Sequence, residues 1–112
     1  MFWKNRFDRL QFDQNRDLLA VSRGVDEMID DARVRVTRFD FAPDAETGWH
    51  RHAMDYVIMA VTDCQMRLEL PDGTANEVTV PAGTAYRRDE GVEDNVINAG
   101  DTPMSFVEVE LK

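Results

Sequence analysis

At 112 residues the chain is long enough for one domain and too short for two. Its 22 acidic residues against 13 basic ones give a formal net charge of −9, a surface that repels nucleic-acid phosphates and anionic lipid heads and argues against both as partners. A single cysteine, Cys64, leaves no intrachain disulfide to form, and the apolar runs "LLAV" and "VIMAV" are far too short to span a bilayer.

The first 32 residues read differently from the rest. "MFWKNRFDRLQFDQ" has no continuous apolar stretch of the signal-peptide kind, so a soluble, cytoplasmic protein is expected. Trp3, Phe7 and Leu10 lie at helix-like spacing, and Phe2 and Phe12 add apolar bulk. "LLAVS" (18–22) reads as a further strand, and "GVDEMIDDA" (24–32) as a helical turn or a loop. Such an aromatic arm buries its rings on its own barrel or on a partner subunit, so a homodimer is expected.

From residue 33 the chain reads as short strands between turn signals. "RVRVTRFDF" (33–41) alternates, with Val34 and Val36 on one face and Arg38 sharing their parity. "YVIMAV" (56–61) is a continuous apolar run, the pattern of a strand buried on both faces. "QMRLEL" (65–70) alternates, "PDGT" (71–74) is a hairpin turn, and "NEVTV" (76–80) returns as the partner strand. "TAYRR" (84–88), "VEDNVIN" (92–98) and "MSFVEVEL" (104–111) complete the series. Strands and turns at this spacing predict an all-β barrel or sandwich over residues 33–112, preceded by an arm at 1–32.

The chemistry gathers at "GWHRHAMDYV" (48–57), which holds both histidines, His50 and His52. In a strand, residues two apart point to one face, so both imidazoles can aim at one point, and each neutral ring offers a lone pair to a metal. Two loop histidines bonded to backbone or water would read the same way.

An all-β chain of this length with H-x-H ahead of a buried strand resembles the cupin superfamily. The first cupin motif runs Gly, five residues, His-x-His, three or four residues, Glu, six residues, Gly. On this chain it places Asp44 at the opening glycine and His50 and His52 at the histidines. Val57 or Tyr56, depending on the spacer, takes the glutamate position, and Cys64 or Asp63 the closing glycine. The second motif starts at Gly83 and reaches Asp89 and Gly91, then Asp94 at its histidine and Asn98 at its asparagine. The phrases "GWHRH", "GVEDNVINAG" and "FVEVELK" also resemble the small single-domain cupins that include β-alanine degradation proteins.

The resemblance implies a double-stranded β-helix, the conical jelly-roll barrel of cupins, holding a metal on three histidines and a glutamate. Here the glutamate is absent and Asp94 replaces the third histidine. His50, His52 and Asp94 would form two histidines plus one carboxylate, the set used by non-haem Fe(II) oxygenases. Asp55 is a fourth candidate, provided a bulge at 53–54 turns it inward. The expected cofactor is Fe, Mn, Ni or Zn, or none if the altered site is empty.

Arg38, Tyr86 and Asn98 are candidate substrate-binding residues, Arg38 as a grip for a carboxylate. Cys64 is expected to be structural, and Met54, Met59 and Met66 core filling. The absence of G-x-S-x-G, phosphate-loop and dinucleotide motifs argues against hydrolase, kinase and dehydrogenase readings. Two functions are therefore carried forward: a metal-dependent oxygenase- or isomerase-type enzyme on a small, carboxylated molecule, or a non-catalytic ligand-binding or sensory module.

Overall fold

The computed structural model describes residues 23–112. The readings made for residues 1–22 lie outside the described residues. Nine strands make up the regular structure there, with no helix among the described residues: β1 (Arg23–Asp30), β2 (Val34–Phe41), β3 (His50–Arg51), β4 (Asp55–Ala60), β5 (Cys64–Glu69), β6 (Ala75–Val80), β7 (Ala85–Arg88), β8 (Glu93–Asn98) and β9 (Met104–Leu111). They form a five-stranded sheet in the order β1-β2-β9-β4-β7 and a four-stranded sheet in the order β3-β8-β5-β6. All pairings are antiparallel.

The period-two pattern explains most of these strands. β5 buries Cys64, Met66 and Leu68 and exposes Gln65 and Arg67 between them. β5 and β6 are joined by the predicted turn: Gly73 sits at φ 88°, and Asp72 accepts hydrogen bonds from the Thr74 N–H at 2.9 Å and its hydroxyl at 2.6 Å. The core between the sheets centres on three rings. Phe39 stacks on Phe106 at 5.0 Å between centroids, and Phe41 meets both edge-on. All three are almost fully buried, as are Met66, Leu68 and Met104.

Three expectations are corrected. Residues 24–30 are neither helical turn nor loop: 23–30 form β1, an edge strand paired with β2 through a bulge between Glu27 and Ile29, and only 31–33 bend between the two strands. Its residues 24–30 are all exposed, so no buried face imprinted a period on the sequence. β4 is not buried on both faces: Tyr56, Ile58 and Ala60 point inward, while Val57 is half-buried and Met59 is 44% exposed on the outer face. In β2 the inner face is Thr37, Phe39 and Phe41, not Val34 and Val36, and this turns Arg38 outward.

Candidate metal centre

Register brings the site together. His50 in β3 pairs directly with Asp94 in β8, so their side chains leave the sheet on the same face. The Nε2 of His50 lies 3.2 Å from the Oδ1 of Asp94. His52, just past the end of β3, is tied to the same strand's approach: its N–H donates to Val92 at 2.8 Å, and its carbonyl accepts from the Gly91 N–H at 2.7 Å. This places its Nε2 at 3.0 Å from that of His50 and 3.9 Å from Asp94 Oδ1. All three side chains are buried.

The loop before β3 sets the first ring. His50 Nδ1 lies 2.8 Å from the Gly48 carbonyl, which can only accept. Nδ1 therefore carries the proton and Nε2 the lone pair, an assignment made from the partner. Gly48 adopts φ 88°, and its N–H is held by Asn95 Oδ1 at 2.8 Å. Burial drives the pKa of His50 down to about 4. Burial, then the neighbouring His50, takes His52 down to about 3. Both rings are neutral at pH 7, as metal ligands must be. Burial raises Asp94 to about 6, opposed by Arg88, so at neutral pH it is ionised.

The donor set fits a divalent ion. Ligands about 2.1 Å from one ion stand about 3.0 Å apart at right angles and about 4.2 Å apart when opposed. The three separations here all fall in that span. Asp94 Oδ1, although buried, receives no hydrogen bond among the described residues, which is costly for a carboxylate unless a cation compensates it. The atoms face a cavity lined also by Tyr56, Tyr86, Phe39, Phe106 and Glu108, with room of about 20 Å³ for the centres of water-sized molecules. That is enough for one or two of them.

Among the residues singled out from sequence, His50, His52, Asp94 and Tyr86 surround this cavity. Asp55, Arg38 and Asn98 do not. Asp55 stays partly exposed, and its carboxylate accepts the Glu90 N–H at 2.8 Å. Arg38 is 40% exposed and pairs with Asp40 at 3.2 Å on the outer face. Asn98 is buried but spends its amide on backbone: Nδ2 donates to Phe41 O at 3.0 Å and Thr102 O at 2.9 Å, and Oδ1 accepts from Gly100 N–H at 3.0 Å.

Sequence reasoning missed Glu108 and Glu110. Both are buried, and both can converge with His52 as a second group of potential ligand atoms within 4.8 Å of one another. Burial raises both carboxyls, that of Glu108 well above the usual range. Their signal was parity: in "MSFVEVEL" they share a face with Met104 and Phe106, so the core side of β9 ends in acids. Tyr56, at one of the two possible positions of the motif glutamate, stacks on His52 with 3.8 Å between ring centroids.

Strand order, the position of the histidines and the convergence with Asp94 define a cupin. The Cupin domain family pattern matches residues 37–110, and the chain belongs to that family. Over 84 residues it is 51% identical to the β-alanine degradation protein BauB of Pseudomonas aeruginosa, covering 75% of this chain and 87% of that protein. The crystal structure of a cupin domain from Bordetella pertussis Tohama I superposes with a TM-score of 0.76 at 46% identity, covering 81% of this chain and 94% of that one. The polyketide cyclase RemF of Streptomyces resistomycificus shares the fold at 22% identity, with a TM-score of 0.65 over 80% of this chain and 65% of its own.

Proposed function

We propose that this cupin binds a divalent transition-metal ion through His50 Nε2, His52 Nε2 and Asp94 Oδ1 and acts as an enzyme on a small molecule. The observation that carries the reading is the convergence of three buried donor atoms at 3.0, 3.2 and 3.9 Å beside one cavity. Two imidazoles and one carboxylate are the set used where an ion must keep open positions for substrate. A bound ion would supply Lewis acidity, or a site for oxygen chemistry, toward a small acid. The protein's part is to fix the His50 tautomer through the Gly48 carbonyl, exclude bulk water and present Tyr86 and Tyr56 at the wall. The likeness to a protein named for β-alanine degradation supports small amino-acid or acid breakdown as the setting. Iron, manganese and nickel suit the oxygen-containing set better than a closed structural zinc site.

The second reading is a ligand-binding or sensory module without catalysis. It is favoured by the narrow cavity and by Tyr56 standing where the motif has its glutamate. Metal content by elemental mass spectrometry tests the site, and a turnover assay then separates the two readings. The wild type, purified without chelator, is expected to carry near-stoichiometric iron, manganese or nickel that is lost in His50→Ala/His52→Ala. Unchanged metal content in the double variant sinks the site, and a loaded protein without turnover over a panel of small acids favours the module. A cytoplasmic homodimer belongs to the same proposal, its dimer contact supported by the exposed Val25, Met28 and Ile29 of β1. A monomeric mass by light scattering would remove the dimer.

A further inference from the structure

We infer that Glu108 is the positioning residue for His52, a carboxylate supplied by the strand beside the one whose motif position lacks its glutamate. The inference rests on the metal-site reading above.

The motif frame offers Tyr56 or Val57 as the vacated position, and only Tyr56 faces inward. That place is filled by a ring stacked on His52. β9 is hydrogen-bonded along β4, with Glu110 opposite Tyr56 and Glu108 opposite Ile58. A carboxylate lost from β4 is therefore regained on the same inner face of its neighbour. Glu108 lines the cavity and is 4% exposed. Its Oε1 stands 3.8 Å from His52 Nδ1, and its Oε2 accepts no hydrogen bond among the described residues.

The geometry makes it a positioning residue and not a fourth ligand. Glu108 is absent from the group formed by His50, His52 and Asp94, and it meets His52 from the Nδ1 side, away from the converging Nε2 atoms. With a cation on Nε2 favouring its ionised form, the Glu108 carboxylate accepts the Nδ1 proton, orients the ring and makes Nε2 a stronger donor. The 3.8 Å separation is about 1 Å longer than a hydrogen bond, so this role requires a rotation of the Glu108 side chain toward the ring when the ion binds. An apolar residue would pack this part of the core at lower cost, so a buried acid here calls for a partner.

The test is Co(II) titration of the full chain, read by affinity and by the visible ligand-field spectrum, for wild type, Glu108→Ala and Glu108→Gln. Alanine is expected to weaken Co(II) binding about 10–100-fold and to alter the spectrum. Glutamine keeps the shape and one acceptor oxygen, so it is expected to restore the wild-type spectrum and to bind only about 3–10-fold more weakly than wild type. An alanine variant that binds within about twofold of wild type with an unchanged spectrum overturns the inference and leaves the metal site standing. Where alanine does not fold, the glutamine variant decides, and binding equal to wild type overturns it. A wild type that binds no Co(II) overturns both readings.

Discussion

The Nε2 atoms of His50 and His52 face each other at 3.0 Å. With no ion between them, two lone pairs do not rest at that distance, so in the metal-free protein one nitrogen carries a proton. His50 has its proton on Nδ1, bonded to Gly48. In the metal-free protein His52 is therefore the donor, an Nε2–H tautomer. An ion that takes both Nε2 lone pairs must displace that proton, and Nδ1 of His52, toward Glu108, is where a ring proton then sits. Nitrogen-15 NMR of the metal-free protein at pH 7.5 is expected to show His50 as Nδ1–H and His52 as Nε2–H. Adding Zn(II) is expected to convert His52 to Nδ1–H and leave His50 as it was. A His52 already in the Nδ1–H form before loading would refute this arrangement.

The proposed metal site carries a pH dependence set by Asp94. Its pKa, raised to about 6 by burial, means the carboxylate is ready for a cation above pH 6 and holds a proton below it. Affinity is expected to be flat above about pH 6.5 and to fall about tenfold per unit below 6. It steepens near 4, where His50 begins to protonate. Stability in the metal-free protein runs the other way at this residue. Its folded pKa lies above the ordinary 3.8, so the ionised form costs stability above pH 6, and the cost fades as the pH falls toward 3.8. Asp94→Asn is therefore expected to raise the metal-free melting temperature at pH 8, to make no difference near pH 4, and to weaken metal binding throughout. Calorimetry with and without the ion checks all three; a variant destabilised at pH 8 would contradict the sign.

Asp44 has φ 70°, the one positive value among the described non-glycine residues. Aspartate tolerates this region better than most side chains, and β-branched residues hardly at all. Its amide is bonded to Asn98 O at 3.0 Å, so the turn cannot relax freely. Asp44→Gly is expected to be neutral or to stabilise by up to about 1 kcal/mol, and Asp44→Val to cost about 1–2 kcal/mol. Urea melts decide it, and a valine variant as stable as wild type would remove the strain argument.

These sites show what could be read from the chain. Strands such as β5 were legible because one face is apolar, and the others because the turns between them carry Gly, Pro or Asp. The motif frame put Asp44 at a glycine position, and the backbone there has the conformation that favours glycine. Which face was inner was not legible in β2, where Val34 and Val36 are apolar on the outer side of the sheet and Thr37 is polar on the inner. β1 carried no period because no face of it is buried. Glu108 and Glu110 escaped notice because acids are read as solvated, and only their parity with Met104 and Phe106 marks them as inward. Asp55 was drawn to the site by proximity in sequence, but its carboxylate anchors the Glu90 amide instead.

Asn98 separates fold from site. Its side chain makes three hydrogen bonds to backbone groups, tying the end of β8 to Phe41 at the end of β2 and to the loop at Gly100 and Thr102. It is 1% exposed, so an alanine there removes a buried bond to the Phe41 carbonyl and two part-buried ones, to the Thr102 carbonyl and from the Gly100 N–H. Each such loss costs about 1–3 kcal/mol, and partial relaxation of the loop recovers some of it. Asn98→Ala is expected to destabilise the protein by about 2–4 kcal/mol in denaturant melts. The amide does not line the cavity of His50 and His52. Below the melting transition, the variant's affinity for Co(II) is therefore expected to match that of wild type. Loss of metal affinity in a fully folded Asn98→Ala protein would place the asparagine in the site after all; loss of stability alone makes it the clamp that holds β8, and with it Asp94, in register with His50.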